Sequence, residues 1–260
     1  MLRIPSITLG LLVATTVGQA ESPALHVAPN GRTFVDAAGK PFFWLGDTAW
    51  MLFQATDRDE GEFYLETRAR QGFTVIQAAL MMGEERVCGT LAPNRYGDVA
   101  IIGDAAHPNT TPGTRADYPA EYDYWDHADF IIEAAAKRGL VLALLPNFVG
   151  SRGDGYKYLN PSTAEAYGKF LGERYKTKNI VWVMGGDHIP KDPAHLTTWN
   201  LLAKAITRAA TGTEDYGRTT MTFHSGHSSS ESWHDAPWLD FNMLQTWDKH
   251  TEIPNRVEAD

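Results

Sequence analysis

Apolar positions along this chain fall into two patterns. In one they run almost unbroken: Phe73 to Leu80, Leu140 to Leu145, and Ile180 to Met184. Short apolar runs bounded by glycine or proline predict strands covered on both faces. In the other pattern they recur every three or four residues. Asp123 to Arg138 carries Trp125, Ala128, Ile132 and Ala135 on one face, and Ser162 to Tyr175 carries Ala164, Tyr167, Leu171 and Tyr175. Behind Asp192-Pro193, a cap followed by a proline suited to the first helical turn, lie Leu196, Trp199, Ala203, Ile206 and Ala210. These are one-sided helices. Thr56-Asp57-Arg58-Asp59 begins another, which ends at Gly72. Phe42 to Gly46, Thr220 to Phe223 and Phe241 to Gln245 read as three further strands.

Ahead of this series, His26 to Val35 contains an Asn30-Gly31 turn and Ala38-Gly39-Lys40 a second one. They predict an N-terminal β-hairpin within residues 21–41. The remainder, 42–260, alternates strand and helix through six β units. That order implies a parallel sheet with right-handed crossovers, either doubly wound or a (β/α)8 TIM barrel. No Gly-x-Gly-x-x-Gly follows a strand, so the nucleotide-binding argument for a doubly wound sheet is missing. Polar residues instead close successive strands: Asp47, Gln77, Asn147, Asp187, His224 and Gln245. A barrel mouth is built in this way. The expectation is a (β/α)8 barrel truncated after about six of its eight units.

Composition changes this picture at the N-terminus. Arg3, the mostly apolar run Ile7 to Val17, and Gly18-Gln19-Ala20 form a secretory signal peptide over 1–20, cleaved near Ala20. Its apolar run is too short to span a membrane. The protein is therefore expected to be secreted or periplasmic, without a membrane anchor. Removing Arg3 takes the net charge from −9 to −10, which disfavours nucleic acid and anionic membrane surfaces as partners. Cys88 is the only cysteine, so neither an intrachain disulfide nor a cysteine metal cluster is possible.

Ile180-Val181-Trp182-Val183-Met184-Gly185-Gly186-Asp187-His188 carries the clearest candidate chemistry. A buried strand opens there into a glycine pair, a carboxylate and an imidazole. Glycines let a ligand or backbone approach Asp187 closely. Read from these residues alone, Asp187 is either a catalytic carboxylate or a structural one that caps a following helix or pairs with a buried arginine. His188 either assists it or is structural. Asp47 and Trp50 either line a sugar subsite or serve as a turn cap and a core residue. Gln77 and Gln245 are amides, able to donate to and accept from hydroxyl groups. His224, His227, Glu231, His234 and Asp235 resemble a metal site, but the His-x-His pair usual on the first strand of metal-dependent barrel hydrolases is absent. No metal and no cofactor is expected.

Three stretches carry a family resemblance: Gly39 to Trp50, the Gly185-Gly186-Asp187 strand end, and Ser228 to Gln245 with its run Trp238-Leu239-Asp240-Phe241-Asn242-Met243-Leu244-Gln245. In order and spacing these resemble the apiosidase-like catalytic domain, of the glycoside hydrolase family 140 type. The resemblance implies a (β/α)8 barrel and retaining hydrolysis of glycosidic bonds in apiose-containing pectic saccharides. It makes Asp187 the general acid/base at the end of strand four. It also implies a nucleophilic glutamate near strand seven, for which this sequence holds no matching motif. The expected cleft is lined by Asp47, Trp50, Gln77, Asn147, His188, His224, Gln245 and Trp247 and takes an oligo- or polysaccharide. Two other readings stay open: a non-catalytic carbohydrate-binding protein, and a metal-dependent barrel hydrolase.

Overall fold

The computed structural model describes residues 25–83, 91–246 and 250–259. The signal-like segment, Glu84, Glu85, Cys88 and Trp247 lie outside them. Among the described residues, no helix is long and apolar enough to cross a membrane.

The chain opens with three two-residue strands, β1 (His26–Val27), β2 (Phe34–Val35) and β3 (Pro41–Phe42), paired antiparallel in that order. The expected hairpin is thus a three-stranded meander. The Asn30 carboxamide oxygen accepts from the Arg32 amide, and Asp36 accepts from the Ala38 and Lys40 amides. Those side-chain bonds close the two turns.

A second sheet holds β4 (Gly46–Thr48), β5 (Val75–Ala79), β6 (Val141–Leu145), β7 (Ile180–Gly185) and β8 (Thr220–His224). All four pairings are parallel, and spatial order follows chain order. Between them run α1 (Leu52–Ala55), α2 (Arg58–Arg70), α3 (Tyr124–Lys137), α4 (Ala164–Tyr175) and α5 (Pro193–Thr211); α6 (Ser230–Trp233) and α7 (Ile253–Ala259) follow β8. The capping box of α2 is Asp57 with Glu60, and that of α3 is Asp123 with Asp126. Asp192 caps α5 with Pro193 behind it.

Register sorts every strand residue onto one of two faces. Ile76, Leu142, Leu144, Trp182, Met184, Met221 and Phe223 pack with the helix residues Leu65, Trp125, Ile131, Leu171 and Trp199. Val75, Ala79, Val141, Ala143, Leu145, Val181 and Val183 face the other way, against Phe34, Trp44, Trp50, Phe148, Phe241 and Met243. Helices pack on the first face only, and the strands follow one another in sequence. That arrangement belongs to a barrel wall rather than a doubly wound sheet. Both faces are apolar, which explains the unbroken hydrophobic runs.

Two expected strands differ. The first parallel strand starts at Gly46, because Pro41 and Phe42 are held by β2 and Thr74 pins the turn between: its hydroxyl donates to the Phe43 carbonyl and accepts from the Leu45 amide. Phe241 to Gln245 does not join the parallel sheet. Its amides bond to the loop after β8 instead, Met243 to the Ser229 hydroxyl and Gln245 to the His227 carbonyl, leaving one isolated antiparallel bridge between Ser228 and Leu244.

Candidate active site

The backbone leaving β7 is unusual. Gly185, Gly186 and Asp187 have φ of 92°, 127° and 55° in succession, and Asp187 is the one non-glycine with positive φ among the described residues. Gly186 takes a conformation that residues with a Cβ avoid. Crowding adds a second reason for the glycines. A Cβ on Gly185 would lie 2.6 Å from the His224 carbonyl oxygen, and one on Gly186 would lie 3.0 Å from the Phe148 ring and the Val149 nitrogen. The glycine pair therefore threads between the chain leaving β6 and the end of β8. Asp tolerates the left-handed region better than most residues.

That path turns the Asp187 carboxylate inward. Its Oδ1 accepts from His224 Nε2 at 3.0 Å and from Gln245 Nε2 at 3.1 Å. His224 ends β8 on the inner face, and its side chain is 11% exposed against 26% for Asp187. The Trp50 ring stands edge-on to His224 at 5.2 Å and tilted on Phe148 at 5.1 Å. The carboxylate thus meets two N–H donors beside an aromatic wall and keeps access to solvent.

Gln77 is half-buried on the same inner face, in register with Thr48 and Ala143. Asn147 is fully buried, and its Nδ2 donates to the Gly155 carbonyl at 3.1 Å. It fastens the chain after β6. His188 turns to another group: its Nδ1 lies 3.3 Å from the Ser151 carbonyl, and its ring meets the edges of Tyr156 and His195. Phe148 was not anticipated from the sequence. Its one signal was its place next to the polar end of β6.

Asp47 corrects the cleft expected from strand ends. Its register partner is Ile76, an outer-face residue, so Asp47 faces the helices. Its Oδ2 accepts from the Tyr64 hydroxyl at 2.9 Å and from Arg68 Nε, both on α2. Burial opposes its ionisation, but the bonds from Tyr64 and Arg68 outweigh burial and hold the carboxyl below its ordinary range. Burial, with Asp47 alongside, pushes the Tyr64 hydroxyl up to about 12.

The histidine-rich stretch after β8 does not converge. His224 is on Asp187, His227 pairs with Glu231 at 3.5 Å on the surface, and His234 is exposed. Among the described residues, no three His, Cys, Asp or Glu side chains are grouped to hold a metal. An open cleft of about 480 Å³ between the meander and residues 234–242, lined by Arg32, Phe34, His234, Asp240 and Phe241 among others, includes none of the Asp187 group.

A parallel strand series with a carboxylate at the C-terminal end of one strand defines an α/β protein of the barrel type. Residues 28–260 match the model of the apiosidase-like catalytic domain. The chain belongs to that family. Among solved structures it is similar to a protein described as a glycoside hydrolase, at 35% identity and TM-score 0.69, over 87% of this chain and 46% of that one. It is also similar to a glycoside hydrolase family 5 protein from Bacteroides vulgatus, at 32% identity and TM-score 0.72, over 92% of this chain and 50% of that one. The chain spans about half the length of each of these two. No curated protein matches it.

Proposed function

We propose that this chain is the acid/base-bearing part of an exported, retaining glycoside hydrolase acting on apiose-containing pectic saccharides. The observation that carries the reading is the inward carboxylate of Asp187, with Oδ1 taken by His224 and Gln245. His224 and Gln245 fix the direction of the carboxyl group, and as the general acid Asp187 offers its proton to the substrate. It protonates the glycosidic oxygen as the bond to the anomeric carbon breaks. The hydrogen bonds from His224 and Gln245 strengthen as negative charge forms on the carboxylate. In the second half, Asp187 takes a proton from the water that attacks the glycosyl-enzyme.

Retention requires a second carboxylate about 5 to 5.5 Å from the first, attacking the anomeric carbon. The inward strand positions are Gly46, Thr48, Val75, Gln77, Ala79, Val141, Ala143, Leu145, Val181, Val183, Gly185, Thr220, Thr222 and His224. None is acidic. By the family resemblance the nucleophile is a glutamate near the end of strand seven of a closed (β/α)8 barrel, and we assign it there. Trp50, Gln77 and Trp247 are assigned to sugar contact; Trp50 offers an aromatic face and Gln77 an amide.

Calorimetry and product chromatography with pectic oligosaccharides test both parts. The 260-residue protein is expected to bind without turnover, and a chain supplying the partner strand to release sugar dependent on Asp187. Turnover by the 260-residue protein, abolished by Asp187→Asn, would overturn the assignment of the nucleophile. Binding without product in the longer chain would identify a carbohydrate-binding protein instead.

A further inference from the structure

Asp187 is anchored twice. Its carboxylate is held by His224 and Gln245, but that does not explain why its backbone stays left-handed. The second anchor is the next residue. The His188 ring is inserted between the loop after β6 and the start of α5, with Nδ1 3.3 Å from the Ser151 carbonyl. A Cβ on Gly153 would come within 3.3 Å of its Cε1. The Tyr156 ring meets it at 5.5 Å and the His195 ring at 5.3 Å, both near perpendicular. Tyr156 and His195 stack face to face at 3.6 Å with 4° between their planes. Trp199, fully buried one turn further along α5, donates Nε1–H to the Tyr156 hydroxyl at 2.7 Å. Burial, the dominant effect, raises the Tyr156 phenol far above its ordinary value, so the hydroxyl stays protonated.

We infer that the Tyr156–His195 stack is a positioning device for Asp187: by clamping His188 it keeps residue 187 at positive φ and its carboxylate on His224 and Gln245. The inference rests on Asp187 being the acid/base. The chain of contact is covalent at one end, from Asp187 to His188, and aromatic at the other. A non-glycine residue in the left-handed region is uncommon and persists where its surroundings hold it there. Loosening the clamp releases residue 187 toward negative φ and swings the carboxylate off its donors. What the clamp needs from His195 is a flat ring, so phenylalanine should replace it and alanine should not.

The test needs no substrate. Nitrogen-15 spectra of histidine-labelled 260-residue protein report the His224 Nε2–H bonded to Asp187, and carbon-13 spectra of its aspartates report the pH at which Asp187 titrates. His195→Ala is expected to move both signals, and His195→Phe to restore them. Tyr156→Phe, which removes only the hydroxyl held by Trp199, should produce a smaller displacement and serves if His195→Ala fails to fold. A lower Tm in His195→Ala or Tyr156→Phe with both signals unmoved would show a merely structural stack and overturn the inference. In a chain with measurable hydrolysis, His195→Ala should lower kcat about tenfold or more with little change in KM, since small misplacements of a reacting group carry effects of that order. Absence of hydrolysis in every chain would remove the acid/base reading while leaving the spectroscopic result to decide the clamp.

Discussion

Asp47 in β4 and Asp187 after β7 both stand at the C-terminal edge of one parallel sheet, three strands apart. Asp47 sits in register with Ile76, so it faces the helices, where Arg68 and Tyr64 take its carboxylate. Asp187 leaves its strand through two glycines that rotate it inward onto His224 and Gln245. A carboxylate held ionised by a guanidinium is a poor proton donor, whereas the bonds to Asp187 Oδ1 come from an imidazole and an amide. Strand parity turns Asp47 to the helices, and the glycine-led exit from β7 turns Asp187 to the inner face, so nearness to a strand end alone does not place a carboxylate. The sharpest way to break this contrast is the pair Asp187→Asn and Asp47→Asn in a chain with measurable hydrolysis. The first should lower kcat/KM by about 10² to 10⁴, the span of general acid catalysis. The second should leave it near wild type while lowering Tm. Equal losses in both would defeat the parity argument.

A second comparison sets glycines of the site against glycines of the frame. Gly186→Ala forces a Cβ onto φ 127° and into the Phe148 ring and Val149 nitrogen at 3.0 Å. It is expected to cost about 1–3 kcal/mol and to displace the His224 Nε2 signal. Gly172 lets α4 and α5 touch: its Cβ would lie 2.5 Å from the Ile206 carbonyl oxygen and 2.7 Å from the Ala209 methyl. Gly172→Ala should destabilise by about 1–3 kcal/mol through overpacking and leave the His224 signal in place. Denaturant unfolding measured beside the spectra separates the two. A Gly172→Ala protein with a shifted His224 signal would mean that the site and the helix layer are not independent.

Most of the wall was legible because each strand had one strong signal. The runs at β5, β6 and β7 are apolar on both faces, and α3 and α5 carry their caps within the sequence as Asp123 and Asp192-Pro193. The family was legible too, from three motifs in order. What failed has a common cause. The span 42–48 and residues 241–245 are short, and side-chain hydroxyls decide their pairing: Thr74 ties down Phe43 and Leu45, and Ser229 takes the Met243 amide. No periodicity over five residues carries that information. Gln245 and His224 were placed at strand ends and do meet on Asp187. Asp47 was placed there on the same grounds and does not, because one residue of register moves a side chain to the opposite face. The stacking of Tyr156 on His195, 39 residues apart in the chain, left no trace in local pattern.

The smallest expected effect is the most direct probe of Asp47. Its folded-state carboxyl titrates below the ordinary value of 3.8, so folding favours the ionised form. The contribution is therefore complete above the unfolded value and disappears as pH falls through the lower, folded one. The Tm difference between wild type and Asp47→Asn should be constant from pH 7 down to about 5, then shrink steadily below pH 4. Arg68→Met should show the same pH profile, because it removes the other half of the pair. Since both side chains are partly exposed, at 27% and 31%, added salt should also reduce the difference at neutral pH. A difference that persisted unchanged to pH 2 would mean that Asp47 holds α2 by its shape rather than its charge, and the contrast between the two carboxylates would then rest on geometry alone.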